Sequence, residues 1–341
     1  MEFVDKLSSI GARPGTIISA LTVQNATNIS TTWDIQNIKM FRKRKRKLLD
    51  GRTQIEALLD TLVNRDIWHA LIRDQSDKLT GLFISPRPAR TIIIQYTANK
   101  IILMDSTYKT NRYQIPLLHE VGVTATKETF ILFYCFLQSE NEELYSWAMH
   151  ELEKYFGTHG INCDNSDFVT DHELTLMNAL NAVFHYSNIL LCIWHINKYI
   201  LTKNRILFGS EDRWKEFIGH WQALINSLTV GEYNGRLEQL HEYFSERKFS
   251  YLSTTWPRYR WKFFVAFTRY VKYFGLVSTS RDEGAHAVLK NWLQVSTGDM
   301  LEVCMKLERE CDEQERFLSV TSSYSRAHNL STNNQPLGKY Q

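Results

Sequence analysis

Nowhere in the 341 residues does an uncharged apolar run approach the roughly 18 residues that cross a bilayer, so no segment reads as a membrane span. The opening MEFVDKLSSIG lacks the basic-then-apolar layout of a secretory leader. Cysteine is scarce: five residues, at 135, 163, 192, 304 and 311, with no CxxC pair and no even, close-spaced framework. That pattern argues against a disulfide scaffold and against a structural zinc finger of the usual kind, and for reduced thiols in an intracellular protein. No internal repeat is visible. Excess charge is also small, 40 Lys and Arg against 37 Asp and Glu for a net +3.

That small excess is unevenly placed. Residues 1–60 hold ten cations and six acids, a surplus of four that leaves −1 for the rest. It is concentrated in FRKRKRK, where Arg42, Lys43, Arg44, Lys45, Arg46 and Lys47 follow one another without a break. Such a block repels itself and seeks a polyanion or an import receptor, and both readings point to the nucleus. Before it, RPGTIISALTVQN and STTWDIQNIKMF carry apolar stripes, the second through Trp33, Ile35, Ile38 and Phe41. Three short helices with a basic last member suggest a helix-turn-helix region over 1–50, with Trp33 and residues 42–47 as DNA contacts. The bland alternative is a helical hairpin with a solvated basic end.

Residues 51–90 read as a helical connector. Thr53 and Glu56 fit a capping box, with Ile55, Leu58, Leu59 and Leu62 as the buried stripe. SPRPAR at 85–90 marks a break. After it, TIIIQYTANKIILMDSTY and IPLLHEVGVTATKETFILFYCFLQSE are β-branched and aromatic, interrupted by short polar turns, and predict at least three strands. The later strands must be antiparallel, because their connections are too short for a crossover. NEELYSWAMHELEKYFGTHG predicts a helix, DFVTD a short strand, HELTLMNALNAVF a helix and NILLCIWHINK a strand that turns helical. The order from 91 to 195 is therefore β-β-β-α-β-α-β, the layout of a ribonuclease-H-like α/β fold with a mixed sheet. A mainly helical, aromatic insertion is expected over about 196–275, with helices closing the domain near 325. The polar stretch 326–341 reads as a disordered tail.

In this layout the first and fourth strands end side by side at the sheet centre. Asp105 ends the first of these strands and Asp171 the fourth, while Glu283, in STSRDEGAHAVLK, opens a later helix. Three convergent carboxylates repel one another unless cations sit between them, so together they would seat two divalent ions. Their hard oxygen donors suit Mg²⁺ or Mn²⁺ rather than zinc. Taken singly, each acid has a plainer role: Asp171 would cap the helix after it, and Glu283 would favour a helix dipole. Cys192 and His195 form a C-x-x-H pair in LCIWHINK, most simply a packing cysteine beside a helix-facing histidine, since no further zinc ligands stand nearby.

Five blocks in one order, LMDSTYKTNRYQIPLLHEVGVT, FLQSENEELYSWAM, FVTDHELTLMNALNAVF, LLCIWHINK and STSRDEGAHAVLKNWL, resemble the Mutator-like element (MULE) transposases. These are cut-and-paste DNA transposases with a DDE core, from which plant regulators of the far-red-impaired-response type descend. The resemblance spans roughly 90–320. It implies that Asp105, Asp171 and Glu283 are the catalytic, metal-holding acids with two Mg²⁺ or Mn²⁺ ions as cofactors. It also implies that Cys192 and His195 support the active site or the transposon end. The expected function is metal-dependent cleavage and strand transfer at the terminal repeats of double-stranded DNA, by a chain that pairs as a homodimer and acts in the nucleus, away from membranes. The alternative is a domesticated or inactive transposase that binds DNA as a transcriptional regulator. A ribonuclease-H-like nuclease of another kind fits the layout but not the C-x-x-H and TYKTN blocks. Two departures stand out. The zinc-finger modules that many relatives carry are not legible in this sequence, and Gly284 stands where the family usually has Ser.

Overall fold

The computed structural model describes residues 3–4, 7, 12–24, 34–36, 52–96, 101–123, 128–161, 166–244, 255–271 and 298–333. Of the N-terminal region, one helix forms a full element, α1 (Pro14–Gln24), which buries Ile17 against Val4 and Ile35. Trp33 and Arg42 to Lys47, the DNA contacts expected in this region, lie outside the described residues.

Helix α2 (Gln54–Asn64) starts where the capping box predicts. The Thr53 hydroxyl accepts from the Glu56 N–H, the Glu56 carboxylate accepts from the Thr53 N–H, and Leu58 and Leu62 are buried. The reading of 51–90 as helical throughout is corrected from that point on. β1 (Trp68–Arg73) and β2 (Leu79–Ser85) form an antiparallel hairpin that joins the main sheet. Asp74 makes the turn: its carboxylate accepts from the N–H groups of Ser76 and Lys78 and from the Ser76 hydroxyl, while Asp77 takes a left-handed φ of 62°. Next, α3 (Arg87–Tyr96) occupies the TIII run that reads as strand. There the apolar face it presents to the sheet outweighs the β-propensity of its isoleucines, with Ile92 and Ile93 buried.

The core then follows as expected. β3 (Ile101–Thr107), β4 (Leu117–Val123) and β5 (Thr129–Leu137) are antiparallel neighbours. α4 (Glu142–Thr158), capped by the Asn141 side chain on the Leu144 N–H, leads to β6 (Asp167–Thr170), which lies parallel to β3. α5 (Leu174–Val183) leads to β7 (Asn188–Leu191), parallel to β6, and α6 (Ile193–Asn204) follows. The strand order is β1-β2-β5-β4-β3-β6-β7. Its last five members are the ribonuclease-H-like arrangement, three antiparallel strands and two parallel ones, with the hairpin added at the far edge. β4 and β5 are buried almost end to end, as strands covered on both faces must be. Close packing leaves no room at Gly122, where an added Cβ would stand 2.3 Å from the Phe130 ring.

Two helices, α7 (Glu211–Ile225) and α8 (Val230–Tyr243), build the insertion, capped by Ser210 and Thr229. Short helical turns at Arg260–Phe263 and Val265–Thr268 pack Phe263 and Phe264 against Trp221. The insertion is tied to the core where the Trp221 indole donates to Asn197 at 2.9 Å and Lys262 donates to the Ile189 carbonyl at 3.1 Å. The last helix, α9 (Met300–Asn333), covers the other side of the sheet together with α2 and runs to 333, into the stretch read as a disordered tail.

On that side α9 buries an acid. Glu310 is 1% exposed, accepts from the Tyr134 phenol at 3.2 Å, and is pushed up to about 8, chiefly by burial. Between the ordinary carboxylate range and pH 8 the unfolded chain releases this proton while the folded chain keeps it. Stability therefore falls as pH rises through that window, by on the order of a few kcal/mol. Thermal unfolding from pH 5 to pH 8.5 should show wild type losing stability relative to Glu310→Gln. A difference between the two that does not change with pH would show that Glu310 is ionised in the core. Glu120, fully buried on β4 and raised by the same cause, adds a slope of like sign to both proteins and cancels in the difference.

Candidate active site

The parallel pairing of β3 with β6 brings the two aspartates together. Its rungs run Ile101 with Asp167, Ile102 with Phe168, Leu103 with Val169 and Met104 with Thr170. Asp105 and Asp171 each follow the last rung, so they stand side by side at the C-terminal ends of the central strands, about 5 Å apart at the backbone. β6 and β7 are in register through Thr170 and Leu191, and the Cys192 N–H donates to the Thr170 carbonyl at 2.8 Å. Cys192 is therefore next in the row.

Cys192 is the N-cap of α6 and is buried. Three residues on, His195 lies in the first helical turn, with Nε2 3.5 Å from Asp105 Oδ2. Burial, with Lys198 beside it, pushes His195 down to about 4. At neutral pH the pair is thus a neutral imidazole against a carboxylate rather than an ion pair. The C-x-x-H spacing has a geometric reason: a small buried residue ends β7, and the histidine one turn later reaches across β6 to the aspartate on β3.

Asp171 does not cap α5. Glu173 does, its carboxylate accepting from the Thr175 N–H at 3.1 Å. Asp171 is pushed up to about 6 by burial first and then by the negative charges of Glu173 and Glu140. Those two acids were not anticipated from sequence. Glu140 accepts a hydrogen bond from the Tyr108 phenol, whose ionisation is raised by burial and by the same carboxylates. The end of the sheet is therefore an accumulation of negative charge with Asp171 in its midst. His172, beside it, packs edge-on against Trp256 and Tyr259, so the insertion closes over this end of β6.

The TYKTN turn leads out of β3 two residues after Asp105. Lys109 and Gln114 both adopt left-handed φ, 62° and 56°, each a strain of order 1 kcal/mol for a residue with a side chain. Asn111, 0% exposed, offsets it. Its Nδ2 donates to the Ile115 carbonyl at 2.8 Å, and its Oδ1 accepts from the N–H groups of Tyr113 and Ile115 at 3.1 and 3.2 Å. Beyond it, Arg112 donates from its backbone to Gly298 and from its side chain to Gln54, which joins the turn to the starts of α9 and α2.

Glu283 lies outside the described residues. Among the described residues, no three His, Cys, Asp or Glu side chains come together as a metal-holding group. What is present is a pair of adjacent carboxylates with hard oxygen donors, in an acidic setting that a cation would relieve.

These features define the chain as a ribonuclease-H-like domain with an acidic centre at the strand ends. Within it, residues 101–199 match the MULE transposase domain. The chain is 25% identical over 205 residues to FAR1-RELATED SEQUENCE 5 of Arabidopsis thaliana, covering 57% of this chain and 24% of that protein. It is 26% identical over 211 residues to the PKS-NRPS hybrid synthetase cheA of Chaetomium globosum, covering 60% of this chain and 4% of that protein. It thus spans under a quarter of the length of either relative. Among solved structures, the Mos1 transposase paired-end complex with left transposon end aligns over 73% of this chain and 96% of its own, at 10% identity and a TM-score of 0.22. No helix among the described residues is long and apolar enough to cross a membrane.

Replacing Asn111 with Ala takes this partner from two part-buried N–H groups and a part-buried carbonyl, at a cost of about 1–3 kcal/mol. Denaturant unfolding should report that loss. An Asn111→Ala protein as stable as wild type would mean that the turn is not held by this side chain.

Proposed function

We propose that the chain is a metal-dependent DNA transposase, and that it cleaves and joins phosphodiester bonds at transposon ends. The observation that carries this reading is the adjacency of Asp105 and Asp171 in an acidic, half-buried setting, inside a segment that matches a transposase domain. Asp105, Asp171 and Glu283 would hold two Mg²⁺ or Mn²⁺ ions. When bound, such a pair activates the attacking oxygen and stabilises the leaving one.

The chain's own residues have separate tasks. His195, neutral against Asp105, limits the rotation of that carboxylate without claiming its charge. Burial of Asp171 among Glu140 and Glu173 stores electrostatic repulsion that favours cation uptake. His172, Trp256 and Tyr259 screen the rear of the site from water. Trp33 and the cations from Arg42 to Lys47 would grip double-stranded DNA through its phosphates, so binding would weaken steeply with salt. The same basic run supports a nuclear location. Pairing two DNA ends would call for a homodimer.

A second reading, a DNA-bound regulator without chemistry, is favoured by Gly284 in the position where the resembling family usually has Ser. A nicking and strand-transfer assay in Mn²⁺ separates the two. Wild type should cut duplex DNA, and Asp171→Ala should lose about 10³-fold in rate, the equivalent of roughly 4 kcal/mol of transition-state stabilisation. Both proteins should bind DNA equally. Equal binding with no metal-dependent cleavage by either would discard the enzyme in favour of the regulator.

A further inference from the structure

At the far edge of the sheet a cleft of about 260 Å³ opens where the start of β1 meets the start of α3 and the end of α4. Trp68 stands edge-on to Tyr155 and His159, with ring centroids 5.7 and 5.3 Å apart, and forms a stiff aromatic wall. His69 and His159 are fixed by main-chain carbonyls at Nδ1, 2.9 Å from Ile67 and 2.7 Å from Tyr155. Each ring is thus held with Nδ1 turned to the main chain. Arg87 and Arg90 are exposed on the same wall, and among the described residues neither is in an ion pair. One acid, Asp66, lines the cleft against these two guanidinium groups. The ten-residue helix α3 begins here too and adds the positive end of its dipole.

Two unpaired arginines beside a helix start, on a wall of rigid rings, have the chemistry of an anion site. We propose that this cleft binds a phosphate group through Arg87 and Arg90, and that the phosphate belongs to the backbone of DNA held at the carboxylates. The assignment to DNA rests on the transposase reading; the anion site does not. His69, Ile84, Tyr134, His119 and Asp105 form one continuous row of paired residues across the sheet. Four interstrand steps separate the cleft from Asp105, about 19 Å. Ile84, Tyr134 and His119 in that row are buried, so DNA passes around it, and the bound phosphate lies at least five or six nucleotides from the bond to be cut, at about 3.4 Å of duplex axis per nucleotide.

The test uses the full chain and fluorescence anisotropy of a labelled duplex at several salt concentrations. The double variant Arg87→Ala/Arg90→Ala should bind several-fold more weakly, and the slope of log affinity on log salt should shrink by about one unit. Arg213→Ala, whose guanidinium is paired with Glu216 outside the cleft, should leave that slope unchanged. Arg87→Lys/Arg90→Lys should keep most of the slope, which guards against loss by misfolding. Inorganic phosphate and ATP, followed by thermal shift, separate the sources of phosphate. A wild-type shift with ATP that the double Ala variant loses, with duplex binding unaffected, would overturn the DNA assignment. Unchanged duplex binding and no shift with either anion would overturn the site itself, as would an equal loss in Arg213→Ala. Binding alone is read, so a chain that cuts no DNA yet loses affinity in the double variant fails the transposase reading and keeps this one.

Discussion

The parallel pairing of β3 with β6 is the constraint on which the rest of the site depends. It joins two strands that are far apart in sequence and makes their terminal aspartates neighbours across one strand spacing. Asp105 lies two residues before the end of β3 and Asp171 just past the end of β6, and neither is fully enclosed. Around them the structure adds further negative charge through Glu140 and Glu173 rather than cancelling it. A fold selected for stability alone has no use for such an arrangement. A cation between the two aspartates would relieve that repulsion, and its cost is borne by the heavily buried strands on which the acids sit.

The site is also held from outside the five-strand core. The TYKTN turn is tied by Asn111 internally and by Arg112 to both α2 and α9, which come from opposite ends of the chain. On the other flank, the insertion reaches His172 through Trp256 and Tyr259. Elements distant in sequence therefore converge on the ends of two short strands, and the helical additions position the centre as well as decorate it.

Much of this was legible in the sequence, because the informative elements have strong local signals. The order of strands and helices from 101 to 204, the capping box at Thr53 and the ends of β3 and β6 follow from apolar periodicity and turn chemistry. The hairpin of β1 and β2 was overlooked because WHALIR and LTGLFIS flank a turn with no Gly or Pro; Asp74 supplies the turn chemistry instead. The TIII run was misread as strand because isoleucine prefers strands locally, whereas burial against the sheet made it helical. Glu140 and Glu173 left no linear signature. Glu173 sits two residues after Asp171 and looks like an ordinary helix-start acid, and Glu140 joins the site only through the fold. Glu283, Trp33 and the basic run 42–47 lie outside the described residues, so their part in the site stays with the sequence alone.

The strand pairing has a consequence for how the protein comes into being. Asp105 and Asp171 are 66 residues apart (171 − 105), and their strands cannot pair until the intervening chain has been made and its loop closed. While the chain is still being synthesised, the first aspartate is an isolated strand-end acid with no partner carboxylate. The acidic centre therefore assembles only after the sheet has closed, and a growing or truncated chain that lacks β6 is electrostatically a different molecule from the finished one.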